Sequence, residues 1–285
     1  MTEPLLLFHL SDLHFGLEDR AALAFVEAEI ARCRPSALLI TGDLTMRARH
    51  REFRAACEWI SARELPVTVE VGNHDMPYFN LVERFTDPYR RFRAIEALVE
   101  RELHLPGLAI VPLKTVTRAQ WRFPWDNGWV TDKALAECCR ALDSLPAGTR
   151  AIVTAHHPLI EYDPVGRHLT IGGVRAMEAL AKRNVLAILT GHVHDAFDLT
   201  RETPAGPLRM IGAGTLSKRI RSTPPSFNAL TVTDAGIDVH VRNFENVPTP
   251  DMQIAEVPEN ALPPRKPGEP VAPVGQVPAV DPPVH

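Results

Sequence analysis

Leu38-Leu39-Ile40-Thr41-Gly42-Asp43-Leu44 is an apolar run that stops at a glycine and a carboxylate. Four apolar or β-branched residues in succession suit a strand buried on both faces of a parallel sheet, and Gly42 permits a sharp turn where that strand ends. Asp43 then stands at the strand's carboxyl edge, where open α/β sheets bind ligands and an anionic side chain can hold a cation. A Gly-Asp turn is common in itself, so its weight comes from the stretches around it.

Upstream, residues 5–10 read as a first strand, followed by Ser11-Asp12-Leu13-His14-Phe15-Gly16. Asp12 and His14, two apart in an extended loop, can point to one side and offer a metal an oxygen and a nitrogen; alone they would read as a cap and a surface histidine. Ala22, Leu23, Phe25, Val26 and Ile30 recur at helical spacing between Asp19 and Cys33, and Pro35 closes that helix. Strand, helix and strand make a βαβ unit that puts Asp12 and Asp43 on the same sheet edge. Downstream, a helical stretch over 49–63 leads to a strand over 66–71 that ends in Gly72-Asn73-His74-Asp75. Asn73 offers a metal its amide oxygen, His74 is a titratable ring that need not be a ligand, and Asp75 can orient His74 or the loop. The basic run Arg47, Arg49, His50, Arg51 and Arg54 reads equally as a solvated helix face or as a grip for a phosphate substituent.

Residues 80–105 read as helical and 108–116 as a return to strand. The aromatic loop 120–129, with Trp121, Trp125 and Trp129, either packs on the core rim or touches a substrate ring. After an amphipathic helix over 131–142, a strand over 150–155 closes in His156-His157-Pro158. A helix over 173–183 and a strand over 185–190 lead to Gly191-His192-Val193-His194, where two histidines from one loop can address neighbouring metals. Short alternating segments at 196–200, 208–212, 229–233 and 237–244 suggest antiparallel strands finishing a second sheet. Beyond about Val247 the chain is proline-rich with little to bury. The expected division is therefore a catalytic domain over 1–246 and a disordered tail over 247–285, with Pro270-Val271-Ala272-Pro273 as a candidate weak docking segment.

At 285 residues, 45% hydrophobic and 23% charged, the chain can bury a large core. A net charge of -4 excludes general attraction to nucleic acid or to anionic membranes. The first ten residues lack a basic leader and a cleavage site, and no run is long enough to span a bilayer. Cys33, Cys57, Cys138 and Cys139 have no metal-knuckle spacing and read as reduced thiols, which makes the expected location cytoplasmic.

Collected at one sheet edge, Asp12, Asp43, Asn73, His14, His156, His192 and His194 suffice for two adjacent metal ions sharing one carboxylate. Oxygen and nitrogen ligands without thiolate suit two divalent or mixed-valence transition-metal ions, Mn, Fe, Zn or Co. Such a pair acidifies a bridging water and neutralises phosphoryl oxygens, the arrangement used for in-line displacement at phosphorus.

The ordered series Asp12-x-His14, Gly42-Asp43, Gly72-Asn73-His74-Asp75, His156-x-Pro158 and Gly191-His192-x-His194 resembles the calcineurin-like metallophosphoesterase superfamily over residues 5 to about 244. The resemblance implies a four-layer α/β/β/α sandwich, two mixed β-sheets flanked by helices. It also implies a ligand set: Asp12, His14, Asp43 and His194 for one metal, Asp43, Asn73, His156 and His192 for the other, with Asp43 as the bridge. His74 matches the family's non-ligand histidine, which stabilises the transition state and protonates the leaving oxygen. His157 is not the expected ligand; together with Asn73 and His74 it is a candidate substrate contact. Ser-Asp-Leu-His, Gly-Asp-Leu-Thr, Gly-Asn-His-Asp and His-His-Pro are most similar to the class III cyclic-nucleotide phosphodiesterases. The expectation is a phosphodiesterase for a small 3',5'- or 2',3'-cyclic nucleotide-type substrate, attacked by a metal-bridging hydroxide, with a homodimer compatible. The alternatives are a UDP-diacylglucosamine-type pyrophosphohydrolase, whose family typically shows arginine where this chain has His74, a DNA nuclease, a phosphomonoesterase and, last, a non-catalytic interaction module.

Overall fold

A computed structural model of the chain describes residues 3–77, 80–101, 103–117, 127–160 and 170–245. The expected tail and the aromatic loop up to residue 126 lie outside them. The chain begins β1 (Leu5–Leu10), α1 (Arg20–Cys33), β2 (Ala37–Ile40), α2 (His50–Ser61) and β3 (Val67–Val69). Asp19 starts α1 by accepting from the Ala21 and Ala22 amides, and Arg34, just before Pro35, ends it in the left-handed conformation. Then follow α3 (Leu81–Thr86), α4 (Arg90–Val99), β4 (Leu108–Pro112), α5 (Asp132–Asp143), β5 (Arg150–Thr154), α6 (Gly173–Ala181) and β6 (Val185–Thr190). The strands β7 (Phe197–Thr203), β8 (Gly206–Gly212), β9 (Ser226–Thr233) and β10 (Gly236–Asn243) complete the series.

Two mixed five-stranded sheets result, in the orders β10-β9-β1-β2-β3 and β4-β5-β6-β8-β7. In the first, β1, β2 and β3 are parallel and β9 runs antiparallel to β1. In the second, β4, β5, β6 and β8 are parallel and β7 is antiparallel to β8. The alternation of side chains along β2 shows how the layers stack. Leu38 and Ile40 pack with Ala22, Val26, Ala56 and Ile60 of the helices α1 and α2. Ala37 and Leu39 face the other way, in a cluster with Ile152, Leu189 and Ile211 of the second sheet. The outer face of that sheet, through Val153, Ile188 and Met210, packs on Cys138, Leu142, Met177 and Leu180 of α5 and α6. The order of layers is helix, sheet, sheet, helix, as expected.

Three local expectations change. The helical stretch 80–105 is broken into α3 and α4, because the residue before a proline is kept out of the helical region and Asp87, ahead of Pro88, sits at φ -143°, ψ 74°. The strand expected over 108–116 stops at Pro112. The late strands do not finish one sheet: β7 and β8 join the second, while β9 and β10 return to the first beside β1. The segment between β8 and β9 therefore crosses from sheet to sheet. Among the described residues no helix is long and apolar enough to cross a membrane.

Polar groups are buried between the sheets. His9 is hydrogen-bonded to Thr41 Oγ1 at 3.0 Å and to Asn228 Nδ2 at 3.3 Å, and burial pushes its pKa down to about 3. Glu70 accepts from Thr154 Oγ1 at 2.7 Å, and burial pushes its carboxyl up to about 8. Between the ordinary carboxyl value and about 8 the folded chain holds a proton that the unfolded chain releases, so Glu70 lowers stability as pH rises through that window. Glu70→Gln, neutral throughout, is expected to gain on the wild type in thermal melts of metal-free protein from pH 5 to pH 8. A gap that stays constant over that range would mean that Glu70 is ionised in the fold.

Candidate metal centre

The loops that follow β1, β2, β3, β5 and β6 meet at one edge of the sandwich. Pairing continues past the ends of β1 and β2: Asp12 N donates to Gly42 O at 3.1 Å, His14 N to Asp43 O at 2.9 Å and Phe15 N to Leu44 O at 2.9 Å. The β6 loop is tied in by Gly191 N to His156 O at 2.9 Å and by His192 N to the Asp12 carboxylate at 2.8 Å. Asp12 (φ 54°), His14 (45°), Asp43 (52°), His192 (70°) and His194 (64°) are all left-handed. Such a conformation costs a non-glycine residue about 1–3 kcal/mol and persists only where surrounding bonds over-determine it, most often at functional sites. Gly42 (φ 102°) supplies the turn without that cost, and a Cβ there would come within 2.5 Å of His156 Nδ1. A Cβ at Gly72 would collide with the Asp43 carboxylate and amide, so these two glycines let three loops close on one carboxylate.

Hydrogen bonds fix the tautomers of three histidines. Nδ1 of His14 lies 3.4 Å from Thr45 O, that of His156 2.8 Å from Thr41 O and that of His194 2.6 Å from Arg219 O. A carbonyl accepts only, so each Nδ1 carries the proton and each Nε2 presents a lone pair. Those lone pairs converge on other acceptors. His14 Nε2 is 3.2 Å from His194 Nε2, and His156 Nε2 is 3.0 Å from Asn73 Oδ1, which is also 3.1 Å from His192 Nδ1. Asp43 Oδ2 faces both groups, 3.7 Å from His14 Nε2 and 3.5 Å from His156 Nε2. Asp12 Oδ1, fully buried, has no hydrogen-bond partner among the described residues, with His194 Nε2 at 3.1 Å. Acceptors packed against acceptors need a shared proton or a cation, and a nitrogen–oxygen set without thiolate fits a transition-metal ion. The ligand atoms of Asp12, His14 and His194, like those of Asp12, Asp43 and His156, lie within 4.8 Å of one another.

Charge follows the same pattern. Burial alone would raise Asp12, but His194, His14 and His156 outweigh it and hold the carboxyl well below its usual range. Burial likewise opposes the charged form of His194, but the Asp12 carboxylate 3.1 Å from its Nε2 prevails and its pKa is raised.

His74 stands beside this cluster and is half-buried. Its Nδ1 donates to Met46 O at 2.8 Å and its amide to Asp43 Oδ1 at 2.8 Å. Burial, above all, lowers its pKa. Asp75 orients the loop rather than the His74 ring, accepting from the Gly72, Leu44 and Thr45 amides and from Thr45 Oγ1. Burial and the Asp43 charge push Asp75 up to about 7 against the hydrogen bonds from Gly72 and Thr45. His157 is buried, with Nδ1 2.9 Å from Thr115 Oγ1 and its ring centroid 4.5 Å from that of His192. Of the basic run, Arg51 and Arg54 are exposed on α2, while Arg47, Arg49 and His50 line a cavity of about 290 Å³ with Arg91. No sequence motif points to Arg219, yet its Nη1 lies 2.8 Å from His74 Nε2 and 3.4 Å from His14 Nε2.

This sandwich, with an Asp/Asn/His cluster on one edge, is that of a metal-dependent phosphoester hydrolase. Residues 5–196 match the calcineurin-like phosphoesterase family, and the chain belongs to it. Over 215 residues it is 24% identical to the glycerophosphodiester phosphodiesterase GpdQ of Enterobacter lignolyticus (strain SCF1), covering 67% of this chain and 71% of that protein. Over 205 residues it is 26% identical to a probable cyclic nucleotide phosphodiesterase of Synechococcus sp. (strain ATCC 27144 / PCC 6301 / SAUG 1402/1), covering 66% and 72%. The purple acid phosphatase PPD1 of yellow lupin (Lupinus luteus) shares the fold at TM-score 0.57 and 14% identity, over 85% of this chain and 52% of that one.

For a metal held through His194, the raised pKa of that ring would set the pH dependence of binding. A proton held there must leave before Nε2 can serve a metal, so affinity falls as pH drops through that raised value, by up to about tenfold per unit for one displaced proton. Calorimetric titration of metal-free protein with Mn²⁺ in buffers of different ionisation enthalpy is expected to register proton release near pH 6.5, and His194→Ala to lose it. Binding without proton release would show that His194 Nε2 carries no proton in the metal-free protein.

Proposed function

We propose that this chain hydrolyses a small phosphodiester of the cyclic-nucleotide type at a dinuclear metal site. The observation that carries the reading is the position of Asp43: one carboxylate oxygen faces Nε2 of His14 and Nε2 of His156, which belong to two separate donor groups. In this reading Asp12, His14, Asp43 and His194 hold one cation and Asp43, Asn73, His156 and His192 a second. Bound there, such ions supply an acidified water and neutralise phosphoryl oxygens. The chain's own residues do the rest. The Asp75 hydrogen bonds and the left-handed loops hold the donors in place in advance, so little reorganisation is needed when charge develops. His74, with Nδ1 committed to Met46 O, presents the Nε2 lone pair to the reacting side, where it takes a proton from solvent and passes it to the leaving oxygen. His157, anchored on Thr115 beside His156 and His192, is read as a substrate contact. The choice of a diester rests on the two relatives above, named for a glycerophosphodiester and a cyclic nucleotide.

A metal-loaded substrate panel tests this: 3',5'-cyclic AMP, 2',3'-cyclic AMP, bis-p-nitrophenyl phosphate, p-nitrophenyl phosphate and a UDP-sugar lipid. Diester turnover is expected, and Asp43→Asn is expected to remove nearly all of it; turnover of the monoester or the pyrophosphate alone would overturn the substrate class. His74→Ala is expected to keep its metal and lose about 10²–10⁴-fold in rate, most for poor leaving groups. Metal loss in that variant, read by elemental analysis, would refute the role given to His74.

A further inference from the structure

Arg219 lies in the segment that crosses from β8 in one sheet to β9 in the other. That segment is fastened at several points. Thr215 Oγ1 donates to Asp12 O at 2.8 Å, Lys218 N to Leu17 O at 3.0 Å and Arg219 N to Ser217 Oγ at 3.2 Å. On the far side, Asp195 Oδ1 accepts from the Ser222 and Thr223 amides and from Thr223 Oγ1. The main chain of residue 219 has a task of its own, since its carbonyl holds His194 Nδ1 at 2.6 Å.

The side chain is a separate matter. Arg219 is half-buried, and among the described residues no carboxylate lies within ion-pair distance of its guanidinium. The acceptors it meets are imidazole nitrogens, His74 Nε2 at 2.8 Å and His14 Nε2 at 3.4 Å. A permanent cation is thus fixed beside a cluster that collects further cations. Like charges so close are unfavourable unless an anion lies between them, and the His14 lone pair is lost to Arg219 once it serves a metal. A guanidinium has five donors in a planar fork suited to phosphoryl oxygens. From this geometry we infer that Arg219 is a substrate-binding residue that takes a non-esterified oxygen of the phosphoryl group, on the side of the site where His74 meets the leaving oxygen. The inference deepens the phosphodiesterase reading and rests on it for the identity of the ligand.

The test separates the side chain from the main chain. Inorganic phosphate is titrated calorimetrically into Mn-loaded wild type, Arg219→Lys and Arg219→Ala, with metal content and melting temperature measured in parallel. Arg219→Ala is expected to keep both metals, because the carbonyl that holds His194 remains, and to lose about a hundred-fold in phosphate affinity and in kcat/KM. Arg219→Lys is expected to recover part of the loss by charge without the fork, and added guanidinium ion to recover part of it in Arg219→Ala. Unchanged phosphate affinity in Arg219→Ala, or a loss that tracks loss of metal, would overturn the inference. Phosphate binding that depends on Arg219 in a wild type that cleaves no diester would instead sink the phosphodiesterase reading and leave Arg219 in place.

Discussion

Three main-chain carbonyls, those of Thr41, Thr45 and Arg219, each take the Nδ1 proton of a histidine, and the chemistry of the edge follows from that. A neutral imidazole has one donor and one acceptor nitrogen. Once the donor is committed to the backbone, the acceptor must point the other way, and here three of them point inward. The carbonyls belong to the ends of strands or to a fastened crossover, so the direction of each lone pair is set by the sheets. A cluster made only of side chains could relax by rotating a ring; this one is held by the backbone.

The same backbone bears the strain. Five donor residues adopt left-handed conformations, and their loops are held by bonds that extend parallel pairing beyond β1 and β2 and by the four donors on Asp75. The strain and the open lone pairs are two results of one arrangement: the strand ends bring loops so close that only sharp turns fit, and the sharp turns aim Asp12, His14, Asp43, His192 and His194 at a common space. The glycines at 42 and 72 stand where no side chain could, one against His156 and the other against Asp43.

What was legible in the sequence is what is local. A strand that stops at a glycine and a polar side chain announces its end within six or seven residues at Asp43, Asn73 and His192, whereas Asp12 and His156 follow Ser11 and Ala155 at the ends of theirs. The sheet to which a strand belongs is not local, since alternation in 226–243 describes a half-buried strand equally well in either sheet, and it is the pairing of β9 with β1 that decides. Arg219 was hidden for the same reason. It reaches His74 across 145 residues, on a crossover with no periodicity, and it looks like any exposed arginine until the crossover is drawn between the sheets. The break at Pro88 was local, but helical composition on both sides of it masked two helices as one.

Electrostatics explains why polar groups are tolerated behind the site. His9 and Glu70 lie in the interior, and burial moves them in opposite directions, the imidazole down to about 3 and the carboxyl up to about 8, so that both are neutral near pH 7. Neither adds a charge to the field at the edge. That field is then set by Asp12 and Asp43, by Arg219 and by whatever cations the histidines collect, in a chain whose overall charge of -4 would by itself repel a phosphate. Long-range attraction of an anionic substrate is therefore weak, and recognition must come from contacts made at short range inside the site. A guanidinium held beside His74 and His14 is the kind of contact that such recognition requires.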